Sequence, residues 1–179
     1  MELTKTDQNH FYIVTKSINA ALEYSNSKAD VVMYSSLVQE DKVTVDGPVI
    51  FDSPGEFEVK NCMIDAVSLA PNNTAYGILS EGIRVAYIAD AKVILTDLQL
   101  EAFASIDILL VPITGEKAAV TTKIIGQIEP KVVIPHSYNA EELKVLTDEL
   151  GQEQEKTSKF KIQKKELAES EQLRLVVLE

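Results

Sequence analysis

Residues 80–113, SEGIRVAYIADAKVILTDLQLEAFASIDILLVPI, decide the class of fold. The turn sequence SEG joins the apolar run TAYGIL, just before this stretch, to the run IRVAYIA. This pattern predicts a β-hairpin, in which Gly82 can adopt the positive φ that a tight turn requires. Thr96 and Gln99 have the spacing of a capping box, which predicts the start of a helix. The run DILLVPI that follows is continuously apolar, as expected of a strand covered on both faces. Strand, helix and strand in succession indicate an α/β protein.

The flanking segments extend this pattern. On the amino-terminal side, HFYIVTKS, ADVVMYSS and GPVIFDSPGEFEVKNCMIDAVSL predict strands, with a turn at SPG, whereas INAALEYS fits either a strand or a short helix. On the carboxyl-terminal side, AAVTTKIIGQI predicts a helix, KVVIPHSY a buried strand, and Asn139 with Glu142 caps a helix that ends at Gly151. We expect GQEQEKTSK to be a surface loop and FKIQKKEL and LRLVVL to be strands.

This order predicts an α/β layered sandwich with two sheets inside and helices outside, formed by one domain over residues 1–179. The net charge of −11, from 28 acidic and 17 basic residues, disfavours a nucleic-acid partner. No apolar run reaches the roughly 20 residues of a membrane helix, and the polar start of the chain does not resemble a signal peptide. We therefore expect a cytoplasmic protein with no membrane partner.

The cysteine at position 62 is the only one in the chain, which excludes an intrachain disulfide and a cysteine-based zinc cluster. It lies in the strand-like segment VKNCMIDAVSL, far in sequence from both histidines. We expect Cys62 to be a small buried side chain rather than a reactive thiol.

Several segments carry a family resemblance: DSPGEFEVKN, SEGIRVAYIADAK, LTDLQLEAFASIDILLVPI, IGQIEPKVVIPHSY, and both ends of the chain, DQNHFYIVTKS and KFKIQKKELAESEQLRLVVLE. In order along the chain, they resemble the metallo-β-lactamase fold, and more narrowly a small bacterial group of zinc-dependent hydrolases with that fold. The resemblance implies a four-layer αβ/βα sandwich, with two mixed sheets face to face and helices on the outside.

The resemblance also implies where metal ligands would lie, and most of those positions hold other residues. The His-x-His-x-Asp-His motif of the superfamily falls on Ser36, Val38, Glu40 and Asp41. An early aspartate falls near Glu23, a middle histidine near Ala70 and Pro71, a later aspartate on Asp90, and the last histidine on Ser137, one residue after His136. The loops between Ser36 and Gly47 and between Ile113 and Ile128 are also shorter than in the family.

Two histidines cannot supply the three that a family-type site uses on one metal. Without a bound metal there is no cation to activate a water molecule, so we expect no hydrolysis by the inherited mechanism. The candidates that remain for a catalytic or metal-binding role are Asp90, His136, Glu40 and Asp41.

Each candidate also has a structural interpretation. Asp90 at a strand end can pair with Lys92, and His136, one residue out of register, is expected to turn away from the ligand pocket because neighbours on a strand face opposite sides. Glu40 and Asp41 fit an acidic surface turn. His10 is expected to be partly exposed on the first strand, and Ser36 and Ser137 lack an evident histidine base.

The residues therefore favour a superfamily protein without catalytic activity, which serves as a binding or oligomerisation module and has no cofactor. The alternative is a reduced metal-dependent hydrolase that holds zinc with Asp90, His136 and nearby carboxylates. The sequence leaves open whether the partner is a small molecule, another protein or a second copy of the chain.

Overall fold

The computed structural model of the chain describes residues 1–38, 47–103, 105–113, 118–170 and 172–179. Within these residues the first sheet has six strands: β1 (Glu2–Lys5), β2 (Phe11–Val14), β3 (Asn19–Leu22), β4 (Val31–Met33), β5 (Val49–Phe51) and β13 (Phe160–Lys161). Their order across the sheet is β13-β1-β2-β3-β4-β5. The pairs from β13 to β3 are antiparallel and those from β3 to β5 are parallel, so the sheet is mixed.

The second sheet has eight strands: β6 (Gly55–Val59), β7 (Cys62–Ala70), β8 (Asn73–Ser80), β9 (Ile83–Tyr87), β10 (Ile108–Pro112), β11 (Val132–His136), β12 (Gln154–Thr157) and β14 (Arg174–Leu178). Their order is β12-β14-β11-β10-β9-β8-β7-β6. The strands β6 to β9 pair antiparallel, and β9 to β12 pair parallel through β10, β11 and β14. The carboxyl ends of these parallel strands lie on one edge of the sandwich.

The two sheets bury one apolar core between them. Phe11 and Met33 of the first sheet and Ile64, Tyr87 and Ile134 of the second belong to it and are fully buried. Each buried side chain of this size contributes on the order of 1.5–3 kcal/mol. This core holds the strand ends in register.

The helices are α1 (Asp97–Phe103), α2 (Ala118–Ile128), α3 (Ala140–Leu150) and α4 (Lys164–Glu169). Phe103, Ile124 and Leu146, one from each of the first three helices, join a second core with Leu109 and Val133 on the outer face of the eight-stranded sheet. The predicted layered α/β sandwich is therefore confirmed. No helix in the described part of the chain has the length and apolarity needed to span a membrane.

Local signals in the sequence correctly predicted where several helices and turns begin or end. Thr96 and Gln99 form the predicted capping box, with N···O distances of 2.9 and 3.4 Å, and Asn139 with Glu142 forms the second, before a helix that ends at Gly151 in the left-handed conformation. Gly82 takes φ +73° in the hairpin turn between β8 and β9. INAALEYS, which fitted either a strand or a helix, forms β3.

Two predictions near the carboxyl terminus are wrong. The predicted loop at residues 151–159 contains β12, which pairs its backbone with the edge of β14 although its side chains are polar. FKIQKKEL is a strand only at Phe160–Lys161, and Lys164–Glu169 forms α4. Lysine, glutamate, leucine and alanine favour helices, and this helix buries Leu167 in the inter-sheet core.

Candidate functional site

The two sheets are joined by hydrogen bonds at the edge where the parallel strands end. The backbone N–H of Thr74 donates to the carbonyl oxygen of Ser35 at 2.8 Å. The hydroxyl of Tyr76 lies 2.7 Å from the carbonyl oxygen of Tyr34 and 3.0 Å from that of Phe51, so these two acceptors share its single proton. We call these contacts, together with the contacts at Leu37, Ser137 and Tyr87 described below, the inter-sheet closure.

Leu37 and Ser137 extend the inter-sheet closure on either side. The backbone N–H of Leu37 donates to Oδ1 of Asn72 at 3.0 Å, and that of Ser137 donates to the carbonyl oxygen of Gln8 at 3.2 Å. Each bond joins a residue at a strand end of one sheet to the other sheet or its loops. Backbone polar groups at this edge are therefore satisfied by the protein itself.

Glu23 lies after β3 with φ +65°, at the position to which the resemblance assigned an aspartate. Its Oε1 accepts the backbone N–H of Ser35 at 2.8 Å, and it is also hydrogen-bonded to the side chains of Ser35 and Tyr87. Burial raises the pKa of this carboxyl, and the hydrogen bonds from Ser35 and Tyr87 oppose that shift without cancelling it. The same burial raises the pKa of the Tyr87 hydroxyl. Glu23 thus acts as a polar link between the sheets.

His136 is fully buried between the sheets. Its ring stacks on Tyr87, with centroids 5.4 Å apart, and meets the edge of Phe11. Its Nε2 lies 3.0 Å from the carbonyl oxygen of Ile88. Because a carbonyl oxygen can only accept, Nε2 carries the proton of the neutral ring. Nδ1 then accepts a hydrogen bond from Ser137 Oγ, also at 3.0 Å. Burial lowers the pKa of His136 to about 4. Both ring nitrogens of a neutral histidine are satisfied.

The expectation that Ser137 lacks a histidine base beside it needs correction. Ser137 has φ +51°, which brings its hydroxyl back to the ring of the preceding residue, His136. A base whose pKa is about 4 draws a hydroxyl proton weakly at neutral pH. This pair of residues is therefore poorly suited to activate a serine nucleophile.

Asp90 follows the end of β9, at the side of the second sheet where its parallel strands end. Its Oδ2 lies 2.9 Å from Nζ of Lys92, and its side chain is 37% exposed. Its carbonyl oxygen accepts from Nδ2 of Asn73 at 3.1 Å. The predicted pairing of Asp90 with Lys92 is present.

A cleft of about 300 Å³ opens beside Asp90. We call it the strand-end cleft. Its walls come from the end of β4, the turn between β7 and β8, the segment after β9 and the first turn of α1, and its lining includes Ser35, Ala70, Pro71, Asn72, Asn73, Asp90, Lys92, Val93, Ile94 and Gln99. Glu23, His136 and Ser137 are not among the residues that line it. Of the candidate site residues that the structure describes, only Asp90 lines the cleft, together with Ala70 and Pro71 from the position of the middle histidine.

The remaining candidates are placed as follows. Glu40 and Asp41 lie outside the described residues. The backbone N–H of Val38 donates to Oδ2 of Asp52 at 3.0 Å. His10 is half-buried and stacks on Tyr24, with ring centroids 5.2 Å apart.

Cys62 is fully buried, as predicted, and burial raises the pKa of its thiol to about 11. A thiol with this pKa is almost entirely protonated at neutral pH, and the thiolate is the form that reacts. The thiol is therefore structural.

The described donors do not fit a metal centre of the family type. Both nitrogens of His136 are hydrogen-bonded, Asp90 pairs with Lys92, and Glu23 bonds to Ser35 and Tyr87. Within the described ranges, no three histidine, cysteine, aspartate or glutamate side chains are grouped as metal ligands would be. The described residues therefore support no reaction step that passes through a metal.

Sequence reasoning missed the residues that shape the cleft. Asn72 and Asn73 stand in the turn sequence APNNT, and Val93 and Ile94 follow the ADAK segment. These two large aliphatic side chains, shortly before the helix start at Thr96, are the signal that could have identified the cleft.

The fold and the site together define a class of protein: a two-sheet α/β sandwich with a cleft at the ends of its strands. A family model for the beta-lactamase superfamily domain matches residues 5–137. The chain belongs to this family. No curated protein matches it.

Solved structures agree on the fold. A Thermotoga maritima protein, named for the zinc-dependent hydrolases of the metallo-β-lactamase superfamily, is 22% identical with a TM-score of 0.81, over 99% of this chain and 97% of that one. The metallo-β-lactamase fold protein YhfI from Bacillus subtilis is 9% identical, with a TM-score of 0.63, over 83% and 91%. CmlA, a diiron β-hydroxylase from Streptomyces venezuelae, is 8% identical, with a TM-score of 0.61, over 99% and 52%. The metallo-β-lactamase-like fold that the resemblance implied is confirmed, and likeness at these identities concerns the fold alone.

Proposed function

We propose that the chain is a non-catalytic member of the beta-lactamase superfamily that uses the strand-end cleft as a binding site. The observation that carries this proposal is the inter-sheet closure. The resemblance assigns metal ligands to both sheets at this edge, and here direct hydrogen bonds such as Thr74 N–H to Ser35 O join the sheets instead.

The side chains at the assigned ligand positions support the same conclusion. Val38, Ala70 and Pro71 carry no donor atom, and the backbone N–H of Val38 is bound to Asp52. Loss of a second-shell partner alone typically lowers metal affinity about 10–100-fold, so loss of several ligands removes tight binding. The walls of the cleft are present although the metal ligands are lost, and such a cleft can still bind a small molecule or a peptide segment.

Metal analysis of the full chain tests the proposal. The protein is expressed in medium supplemented with zinc, manganese and iron, dialysed, and analysed for all three elements, and its thermal midpoint is measured with and without a chelator. We expect much less than one metal ion per chain and an unchanged midpoint.

Two variants make the outcome specific. Asp90→Asn removes the in-register carboxylate, and Asp97→Asn removes an exposed carboxylate of α1 as a matched control. About one ion per chain that is lost in Asp90→Asn and kept in Asp97→Asn would overturn the proposal in favour of a reduced metal-dependent hydrolase.

A further inference from the structure

We propose that the strand-end cleft binds a primary ammonium group attached to a branched apolar group, as found at the amino terminus of a peptide that begins with leucine, isoleucine or valine. The inference rests on the proposed function, because it assigns a ligand class to the same cleft. Four features of the cleft support it: an apolar rim, a fixed loop, a carboxylate in a weak ion pair, and two asparagine side chains.

The apolar rim consists of Leu37, Val93, Ile94 and Leu98, whose exposures are 72%, 67%, 50% and 78%. Val93 and Ile94 line the cleft, Leu37 bonds to Asn72 in its wall, and Leu98 precedes Gln99 in its wall. The rim holds four of the seven large hydrophobic side chains that are exposed in the described residues. A concentration of exposed apolar side chains around one cleft marks a binding site for an apolar group.

The loop that carries Val93 and Ile94 is fixed on both sides. Gln127 accepts the backbone N–H of Leu95 at 3.0 Å and donates to its carbonyl oxygen at 2.9 Å. Asn73 donates to the carbonyl oxygen of Asp90. Because these contacts are already made, the backbone on either side of Val93 and Ile94 is held before a ligand arrives, which reduces the entropy that binding would cost.

The carboxylate of Asp90 supplies the charge for an ammonium ion. One of its partners is Lys92, whose side chain is 70% exposed, and an ion pair this exposed to water contributes only about 0–1 kcal/mol. A ligand ammonium that takes the place of Lys92 Nζ therefore gives up only this weak pair. The net charge of −11 adds a long-range preference for a cation over an anion.

The two asparagines provide the contacts that a peptide group needs. Asn72 uses Oδ1 for Leu37, and Asn73 uses Nδ2 for Asp90. Both residues line the cleft, and each keeps a second amide atom, a donor on Asn72 and an acceptor on Asn73. A peptide C=O and N–H next to the ammonium group match this pair.

A matched series of small probes tests the inference on the full chain. Leucinamide carries the ammonium, the amide and the branched side chain; N-acetylleucinamide lacks the positive charge; N-acetylleucine carries a negative charge. Backbone amide shifts are followed by NMR at pH 6.5, where an α-amino group with a pKa of about 7.7–8.0 is charged. We expect leucinamide to shift the amide signals of residues 90–95 and to bind at least about fivefold more tightly than N-acetylleucinamide. We expect N-acetylleucine to bind more weakly than either of the other two probes.

Variants separate a binding role from a structural one. Asp90→Asn should weaken leucinamide binding about tenfold, and Val93→Ser with Ile94→Ser should weaken it severalfold. Lys92→Gln should strengthen binding, because it removes the competing ammonium, whereas a merely structural ion pair would give no gain. Val145→Ser, on α3 and similarly exposed, is the matched control and should bind like the wild type.

Equal binding of the charged and neutral probes, a preference for the anion, or weaker binding in Lys92→Gln would overturn the inference. A metal-free protein that ignores leucinamide would refute this inference alone. A metal ion lost in Asp90→Asn would refute the proposed function itself.

Discussion

The backbone N–H of Thr74 at the start of β8 donates to the carbonyl oxygen of Ser35 after β4, with an N···O distance of 2.8 Å. This bond crosses from one sheet to the other beside the strand-end cleft. Together with the contacts of the Tyr76 hydroxyl, it joins the strand ends of the two sheets directly. Because the closure depends on identifiable hydrogen bonds, its contribution to stability can be measured.

Removal of the Tyr76 hydroxyl should weaken the inter-sheet closure. Tyr76→Phe removes this donor from the carbonyl oxygen of Tyr34 and from that of Phe51, which keeps its bond from the backbone N–H of Tyr34. Loss of a buried hydrogen-bond partner costs about 1–3 kcal/mol. Urea unfolding followed by circular dichroism should show a decrease of this size in the free energy of unfolding.

Tyr12→Phe is the matched control for this experiment. The hydroxyl of Tyr12 donates to the carbonyl oxygen of Lys28 at an exposed site, at 3.1 Å, where water can replace it. We expect a change within about 0.5 kcal/mol. If both variants lose the same stability, the closure has no special contribution.

Parts of this fold with local or strongly apolar signals were predictable from the sequence. β10 and β11 appear as continuous apolar runs because both faces are covered. The capping boxes at Thr96 and Asn139 depend only on residues three positions apart. β12 could not be predicted, because its polar sequence becomes a strand only through pairing with β14.

The candidate site was less predictable than the fold. Asp90 could be placed at a strand end and paired with Lys92 from sequence alone. The contact of His136 with Ser137 could not be predicted, because it requires a positive φ at a serine. The cleft depends on Gln127, which is 32 positions from Leu95, the residue that it holds.

Acid should destabilise the protein through His136. Because its folded pKa of about 4 lies below its ordinary value of 6.5, its stabilisation is fully present above pH 6.5 and is lost as the pH falls towards 4. A shift of this size corresponds to about 3 kcal/mol. The free energy of unfolding should therefore fall more steeply between pH 6.5 and 4 in the wild type than in His136→Gln.

His10→Gln is the matched control, because it removes the other histidine, whose ring is half-buried against Tyr24. A change of slope found in His136→Gln and not in His10→Gln assigns the effect to His136. NMR titration of the ring signals gives a second measurement that does not depend on how well His136→Gln folds. A pKa for His136 near 6.5 would contradict the prediction.

Glu23 should have the opposite dependence on pH. Burial raises the pKa of this carboxyl from its ordinary value of 4.5, so the folded state binds the proton more tightly than the unfolded state. The stabilisation is fully present below the unfolded value and is lost as the pH rises through the folded value. Relative to Glu23→Gln, the wild type should therefore lose stability as the pH rises above 4.5.

The comparison uses chemical unfolding of both proteins at several pH values between 4 and 8, with Glu58→Gln, at an exposed position of β6, as a control. A difference between wild type and Glu23→Gln that stays constant with pH would show that the carboxyl is not shifted upwards.

Removal of the Gln127 side chain should loosen the loop that carries Val93 and Ile94. Gln127→Ala removes the donor and the acceptor that hold the backbone of Leu95, and two such hydrogen bonds contribute about 1–3 kcal/mol together. Hydrogen exchange should accelerate at the amide of Leu95, by about tenfold for each 1.4 kcal/mol lost. Gln154→Ala, which breaks a bond between the edge strand β12 and Thr147 of α3, should leave that amide unchanged. Equal protection of Leu95 in Gln127→Ala and the wild type would mean that the loop is held by the burial of Leu95 alone.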